Sequence, residues 1–81
     1  MPTVLTLRNV RVALYSNAHP PPHVHGIGRD GARAKFELSC PGGPVRLVEQ
    51  SGFRAVAVAE IGAAVASNLT AICATWRRVH G

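Results

Sequence analysis

Residues 32–40 read Ala32-Arg33-Ala34-Lys35-Phe36-Glu37-Leu38-Ser39-Cys40, and the architecture turns on their period. Every second residue is apolar, and Arg33, Lys35, Glu37 and Ser39 fill the gaps. Successive side chains of a strand point to opposite faces, so Ala32, Ala34, Phe36, Leu38 and Cys40 share one side. A strand buried on one side and charged on the other belongs to an antiparallel sheet with one solvated face.

Upstream, residues 3–8 and 10–16 have the β-branched or apolar alternation of strands, with a tight turn at Arg8-Asn9. Ser16-Asn17-Ala18 forms a turn, and His23 to Ile27 makes a third strand. Asp30-Gly31 is a hairpin signal that joins this strand to residues 32–40. Downstream, Pro41-Gly42-Gly43-Pro44 breaks the chain, and Val45 to Glu49 reads as a short fifth strand.

From Ser51 the period changes. Val58, Ile61, Ala64 and Val65 follow helical spacing, as do Leu69, Ile72, Cys73, Trp76 and Val79. Two helices are expected over 55–66 and 68–79, with Ser67-Asn68 supplying the cap between them. The fold class is α+β: one domain over 1–81, β-rich over 1–50 and helical over 51–81. Its small antiparallel sheet of four or five strands is followed by two C-terminal helices packed on one face. The expected core is Leu5, Leu7, Val12, Leu14, Phe36, Leu38, Ile61, Val65, Leu69, Ile72 and Trp76.

Nine Lys and Arg against four Asp and Glu give a net charge of +5, which favours a polyanionic partner such as RNA. No apolar run reaches membrane-spanning length, so no membrane partner is expected. With no leader pattern, the expectation is a cytoplasmic protein with Cys40 and Cys73 reduced; a Cys40–Cys73 bridge is the alternative. Residues 55–66 carry only Glu60 as a charge. A helix apolar all round is buried on more than one side, and an 81-residue domain has little with which to cover it. This helix is therefore the candidate surface for a protein partner or a homodimer.

The chemistry concentrates in His19-Pro20-Pro21-Pro22-His23-Val24-His25, where three of the four histidines lie within seven residues. On a strand, His23 and His25 point the same way about 7 Å apart. Across an extended polyproline stretch His19 would lie about 12 Å from His23, so the three meet only if the chain bends. Three readings follow. His19, His23 and His25 could act in general acid–base catalysis on RNA. There, one group takes the proton of a ribose 2′-hydroxyl and another gives a proton to the leaving oxygen. Arg33, Lys35, Arg29, Arg11 and Tyr15 would then bind phosphate. Alternatively His23 and His25 hold a zinc-type metal, with His19, Asp30, Glu37 or Cys40 as third ligand. In the third reading the histidines only hydrogen-bond to the backbone of a stiff loop. The first needs no cofactor; the ribonuclease activity it implies is left open by the sequence.

Tyr15-Ser16-Asn17, the His/Pro segment, Ala34-Lys35-Phe36, Gly52-Phe53 and Trp76 together resemble the small bacterial domain-of-unknown-function family DUF4160. The resemblance spans essentially the whole chain. Its shared positions are Tyr15, Asn17, His19, Pro20, Pro21, Pro22, His23, His25, Lys35, Phe36, Phe53 and Trp76. It implies a component of a toxin–antitoxin-type module with an antitoxin-like protein partner. It attaches no activity. Pro41-Gly42-Gly43-Pro44, which has the look of a short insertion, and the Ala/Val-rich first helix depart from the family pattern.

Overall fold

The structure is a computed structural model that describes residues 3–17 and 19–80. Five strands, β1 (Thr3–Leu7), β2 (Val10–Ala13), β3 (His23–Ile27), β4 (Arg33–Leu38) and β5 (Val45–Ser51), form one sheet in chain order. Every neighbouring pair is antiparallel. Two helices follow, α1 (Ala55–Ser67) and α2 (Leu69–His80). The α+β architecture expected from the two periods is the one found. Among the described residues no single helix is long and apolar enough to cross a membrane.

Local chemistry accounts for the joints. Leu7 pairs with Val10, so Arg8 and Asn9 make the turn, and Asn9 takes a positive φ of 64°. Asparagine tolerates that region better than most residues. The β3–β4 connection is longer than the Asp30-Gly31 signal suggests. Arg29–Gly31 form a 3-10 turn, closed by the Gly28 N–H donating to the Ala32 carbonyl at 2.9 Å. Ala32 is thereby taken out of β4. Strand β2 stops at Ala13, short of the expected Ser16, although Leu14 beyond it is fully buried. Ala18, expected in the turn after it, lies outside the described residues.

One sheet face is dry. Val12, Val24, Ala34, Phe36 and Leu38 pack there against Ile61 and Val65 of α1 and Leu69, Ile72, Cys73 and Trp76 of α2. Each large apolar side chain removed from water this way contributes roughly 1.5–3 kcal/mol. Leu5 and Leu7 are only half-buried against this cluster rather than inside it, because β1 is an edge strand. Glycine brings α1 down onto the sheet. A Cβ at Gly26 would sit 3.5 Å from Ile61 Cγ2, and one at Gly62 would sit 3.3 Å from Phe36 Cε1.

Helix α1 buries only Ile61 and Val65, and Val56 is 63 % exposed. In the single chain it is covered along one side, not on several. Between the helices, the Asn68 side-chain amide donates to the Ala64 carbonyl at 2.8 Å, while its backbone carbonyl accepts from Ile72 N–H at 3.0 Å. The residue expected to cap α2 thus closes α1 with its side chain and opens α2 with its backbone.

Helix α2 lies at the end of the sheet where Thr3, Leu14, His23 and Leu38 are found. Leu69 approaches Gly43 of the β4–β5 loop, and Trp76 reaches His23. Cys73 is joined to Cys40 by a disulfide, which corrects the expectation of two reduced thiols. Thirty-three positions separate them, and only folding brings them together.

Candidate functional site

The register of β3 decides what its histidines can do. Val24 and Gly26 face α1, so His23 and His25 face the other way, onto the side of the sheet opposite α1, where α2 reaches His23 through Trp76. Across β3–β4, His25 stands opposite Lys35, His23 opposite Glu37 and Ile27 opposite Arg33. Directly opposed residues of an antiparallel pair have Cβ atoms about 4.5–5.5 Å apart. The charged face of β4 therefore adjoins the histidine pair, as expected for Arg33 and Lys35.

The two imidazoles touch, with ring centroids 5.1 Å apart and planes at 80°. Tyr15 lies against His25 at 4.8 Å. His23 is 8 % exposed, and its Nδ1–H donates to the Pro21 carbonyl at 2.9 Å. A carbonyl only accepts, so neutral His23 carries its proton on Nδ1 and keeps a lone pair on Nε2. Trp76 packs on its other side at 5.7 Å and is itself stacked on His80 at 3.8 Å. His80 Nε2 is buried with no hydrogen-bond partner among the described residues.

Two cavities meet at Lys35. One, of about 260 Å³, is lined by His25, Arg33, Lys35, Glu49, Gln50 and Ser51. The other, of about 320 Å³, is lined by His19, Pro20, Pro21, His23, Lys35 and Glu37. His19 lines the same cavity as His23. Arg11 and Arg29 are elsewhere: they line a separate depression with Asn9 and Gly28. Of the eight candidate residues, the structure gathers Tyr15, His19, His23, His25, Arg33 and Lys35.

Burial holds the His25 imidazole below its ordinary range, and His23, Lys35 and Arg33 push the same way, with Glu49 opposing. The ordinary value is about 6.5, so His25 is neutral at pH 7 and able to accept a proton. Arg46 Nη2 donates to Glu37 Oε1 at 2.7 Å, which occupies the carboxylate facing His23. Lys35 and Arg33 have no such ion pair among the described residues and are available to an anion. For the metal reading, no group of three or more His, Cys, Asp or Glu converges among the described residues. Cys40, one of the proposed third ligands, is spent in the disulfide.

Glu49, Gln50 and Ser51 were not foreseen as part of the site. Lys35 pairs with Glu49 but Phe36 pairs with Leu47, so β5 holds one extra residue between them. Such a bulge flips the alternation downstream of it, and no local sequence pattern reveals which side Glu49 occupies.

None of the curated proteins and none of the solved structures matches the chain significantly. Residues 9–77 match the family model described as Domain of unknown function (DUF4160). That match runs from the Asn9 turn through Arg77 on α2 and takes in both histidine-lined cavities. The resemblance carried by the His/Pro segment, the Ala-Lys-Phe strand and Trp76 is therefore a relationship, and the chain belongs to the DUF4160 family.

Proposed function

We propose that this protein engages RNA on the face of its sheet opposite α1, as a toxin–antitoxin-type component acting in the cytoplasm. The observation that carries the reading is the placement of the His25 imidazole directly opposite Lys35 and beside Arg33 and Tyr15, where burial lowers its pKa. Two cations with no ion pair among the described residues, next to a proton acceptor, are what phosphodiester chemistry asks of a site. The net charge of +5 adds long-range attraction for the same ligand.

In the catalytic form of the reading, His25 takes the proton of a ribose 2′-hydroxyl as that oxygen attacks phosphorus. Lys35 and Arg33 offset the charge on the phosphorane oxygens. The bond to the 5′-oxygen breaks, a 2′,3′-cyclic phosphate forms, and the leaving oxygen takes a proton from the imidazolium form of His19, which lines the second cavity. For a protein partner, the reading designates the outward face of α1, where Val56 is exposed. A clean monomer by light scattering at high micromolar concentration removes the self-association version.

The experiment is RNA binding followed by anisotropy at several salt concentrations. Each phosphate that the protein no longer neutralises lowers the salt slope by about 0.7 for a single strand. Arg33→Ala/Lys35→Ala is expected to weaken binding and flatten that slope; binding unchanged in this variant removes the reading. His25→Ala is expected to bind but not cleave, and to relieve growth arrest on induced expression at an unchanged protein level. An RNA carrying a 2′-deoxy residue at the cut site is expected to resist cleavage.

A further inference from the structure

The Cys40–Cys73 bridge sits at the one place where α2 is tied covalently to the sheet, and its two ends differ. Cys40 is exposed, two residues past the end of β4, while Cys73 is 1 % exposed among the core side chains of α2. Trp76, three residues and nearly one turn beyond Cys73, packs on His23, and His23 touches His25. The loop that carries Cys40 is also held to α2 by Leu69, which lies against Gly43.

We propose that this bridge is a thiol-exchange site, entered at Cys40 by a low-molecular-weight thiol, and that opening it is felt at the histidine pair through Trp76. Exchange requires a thiolate to reach a disulfide sulfur from outside, so access selects the sulfur attacked. The incoming thiolate attacks Cys40 Sγ; a new S–S bond forms as the Cys40–Cys73 bond breaks, and Cys73 leaves as a thiolate that takes a proton from water. A second thiolate attacks the outer sulfur of the mixed disulfide and releases Cys40, which is protonated in turn. Two electrons pass from two thiols to the protein, and the thiols depart as their own disulfide.

Once the bond is open, α2 keeps its apolar packing but loses its covalent anchor one turn before Trp76. The indole is the wall against which the His23 ring stands, and that ring in turn meets His25. A change in the seating of α2 therefore reaches the histidines by direct contact, whatever ligand the open sheet face binds. The proposal does not depend on RNA being that ligand.

The test uses the full oxidised chain and glutathione as the thiol. Peptide mapping after acid quench is expected to place the first glutathione adduct on Cys40, in roughly tenfold or greater excess over Cys73, since access governs attack. Full reduction is expected to move the His23 and His25 ring signals in NMR, and to change the emission of Trp76, the single tryptophan, while far-UV circular dichroism is kept. Cys40→Ala/Cys73→Ala, open without any reagent, is expected to reproduce those histidine shifts. A first adduct on Cys73, histidine signals unmoved in the reduced protein or in the variant, or loss of the whole fold on reduction each overturns the proposal.

Discussion

Gly28→Ala tests the packing that closes the β3–β4 connection, and its cost can be worked from geometry. Gly28 has φ −103° and ψ −169°, extended values that any residue adopts, so the backbone sets no penalty. The whole effect is steric. An added Cβ would lie 2.7 Å from Phe53 Cε1, 2.9 Å from Phe53 Cζ and 3.2 Å from Ala32 Cβ. Carbon atoms rest about 3.5–4.0 Å apart, so the ring must move by most of an ångström. Overpacking of this kind costs about 1–3 kcal/mol. Replacing glycine also narrows the unfolded ensemble, which returns about 0.4–1 kcal/mol. The expected net loss is about 1–2 kcal/mol, against a total of roughly 4–12 kcal/mol for a domain of this length. In urea the midpoint should fall by roughly 1–2 M at an unchanged slope, given a slope near 1 kcal/mol/M for so small a chain. Phe53→Leu removes the offending ring atoms, so in that background Gly28→Ala should cost little, leaving a coupling of about 1 kcal/mol. Gly31→Ala is the control. Gly31 has φ +79° and nothing within 4 Å, so its conformational cost should be indifferent to Phe53. Equal cost for Gly28→Ala in both backgrounds refutes the account, because the ring would then not be seated over Gly28.

Three other outcomes follow. His25 has its folded-state pKa below the unfolded value of about 6.5, so the unfolded chain binds the proton more readily and stability rises with pH. That contribution is complete above the unfolded value and is lost as pH falls through the folded one. Urea midpoints between about pH 8 and pH 5 should show the loss, and His25→Gln should flatten it; an unchanged slope in the variant sinks the assignment. Reduction of the Cys40–Cys73 bond, which spans 33 positions, should lower stability by about 3.5–4 kcal/mol by loop-closure entropy. The urea slope should also steepen as the unfolded chain expands, and matching curves with and without a phosphine reductant would falsify that attribution. Lys35→Ala and Arg33→Ala, which remove no ion pair found among the described residues, should each shift stability by no more than about 0.5 kcal/mol, as read from the same urea curves.

Contrast between neighbouring residues decides what can be read from the chain. Strand β4 announces itself because Arg33, Lys35 and Glu37 differ sharply from Ala34, Phe36 and Leu38. The same holds for α2, where helical spacing selects Leu69, Ile72, Cys73 and Trp76, all buried, although it also selects Val79, which is exposed at the helix end. Helix α1 is legible as a helix but not in its orientation, since alanine looks alike on either side; only Ile61 and Val65 turn out to be buried. Strand β5 is exposed almost throughout and carries the bulge, so nothing in its order of residues predicts that Glu49 faces His25. The same-side pairing of His23 and His25 follows from period alone. The place of His19 in the His23 cavity and the meeting of Cys40 with Cys73 depend on tertiary proximity that no local pattern encodes.

The site contains two histidines that mutation must treat differently. His25 is partly open, so its removal reports on chemistry. His23 is also a structural part: it is buried between His25 and Trp76, and its Nδ1–H satisfies the Pro21 carbonyl. His23→Ala would leave a cavity and an unpaired acceptor, together worth about 1–3 kcal/mol, and lost activity would then mean little. Asparagine places an amide N–H near the position of Nδ1 and has nothing at Nε2, so His23→Asn keeps the donor and deletes the lone pair. If the ring only braces the loop, His23→Asn should restore both stability and RNA cleavage relative to His23→Ala. If Nε2 takes part in proton transfer, His23→Asn should recover the urea midpoint while cleavage stays lost. A variant equal to His23→Ala in stability would mean that the Pro21 hydrogen bond contributes nothing, and the brace would then have to lie in the packing against Trp76 alone.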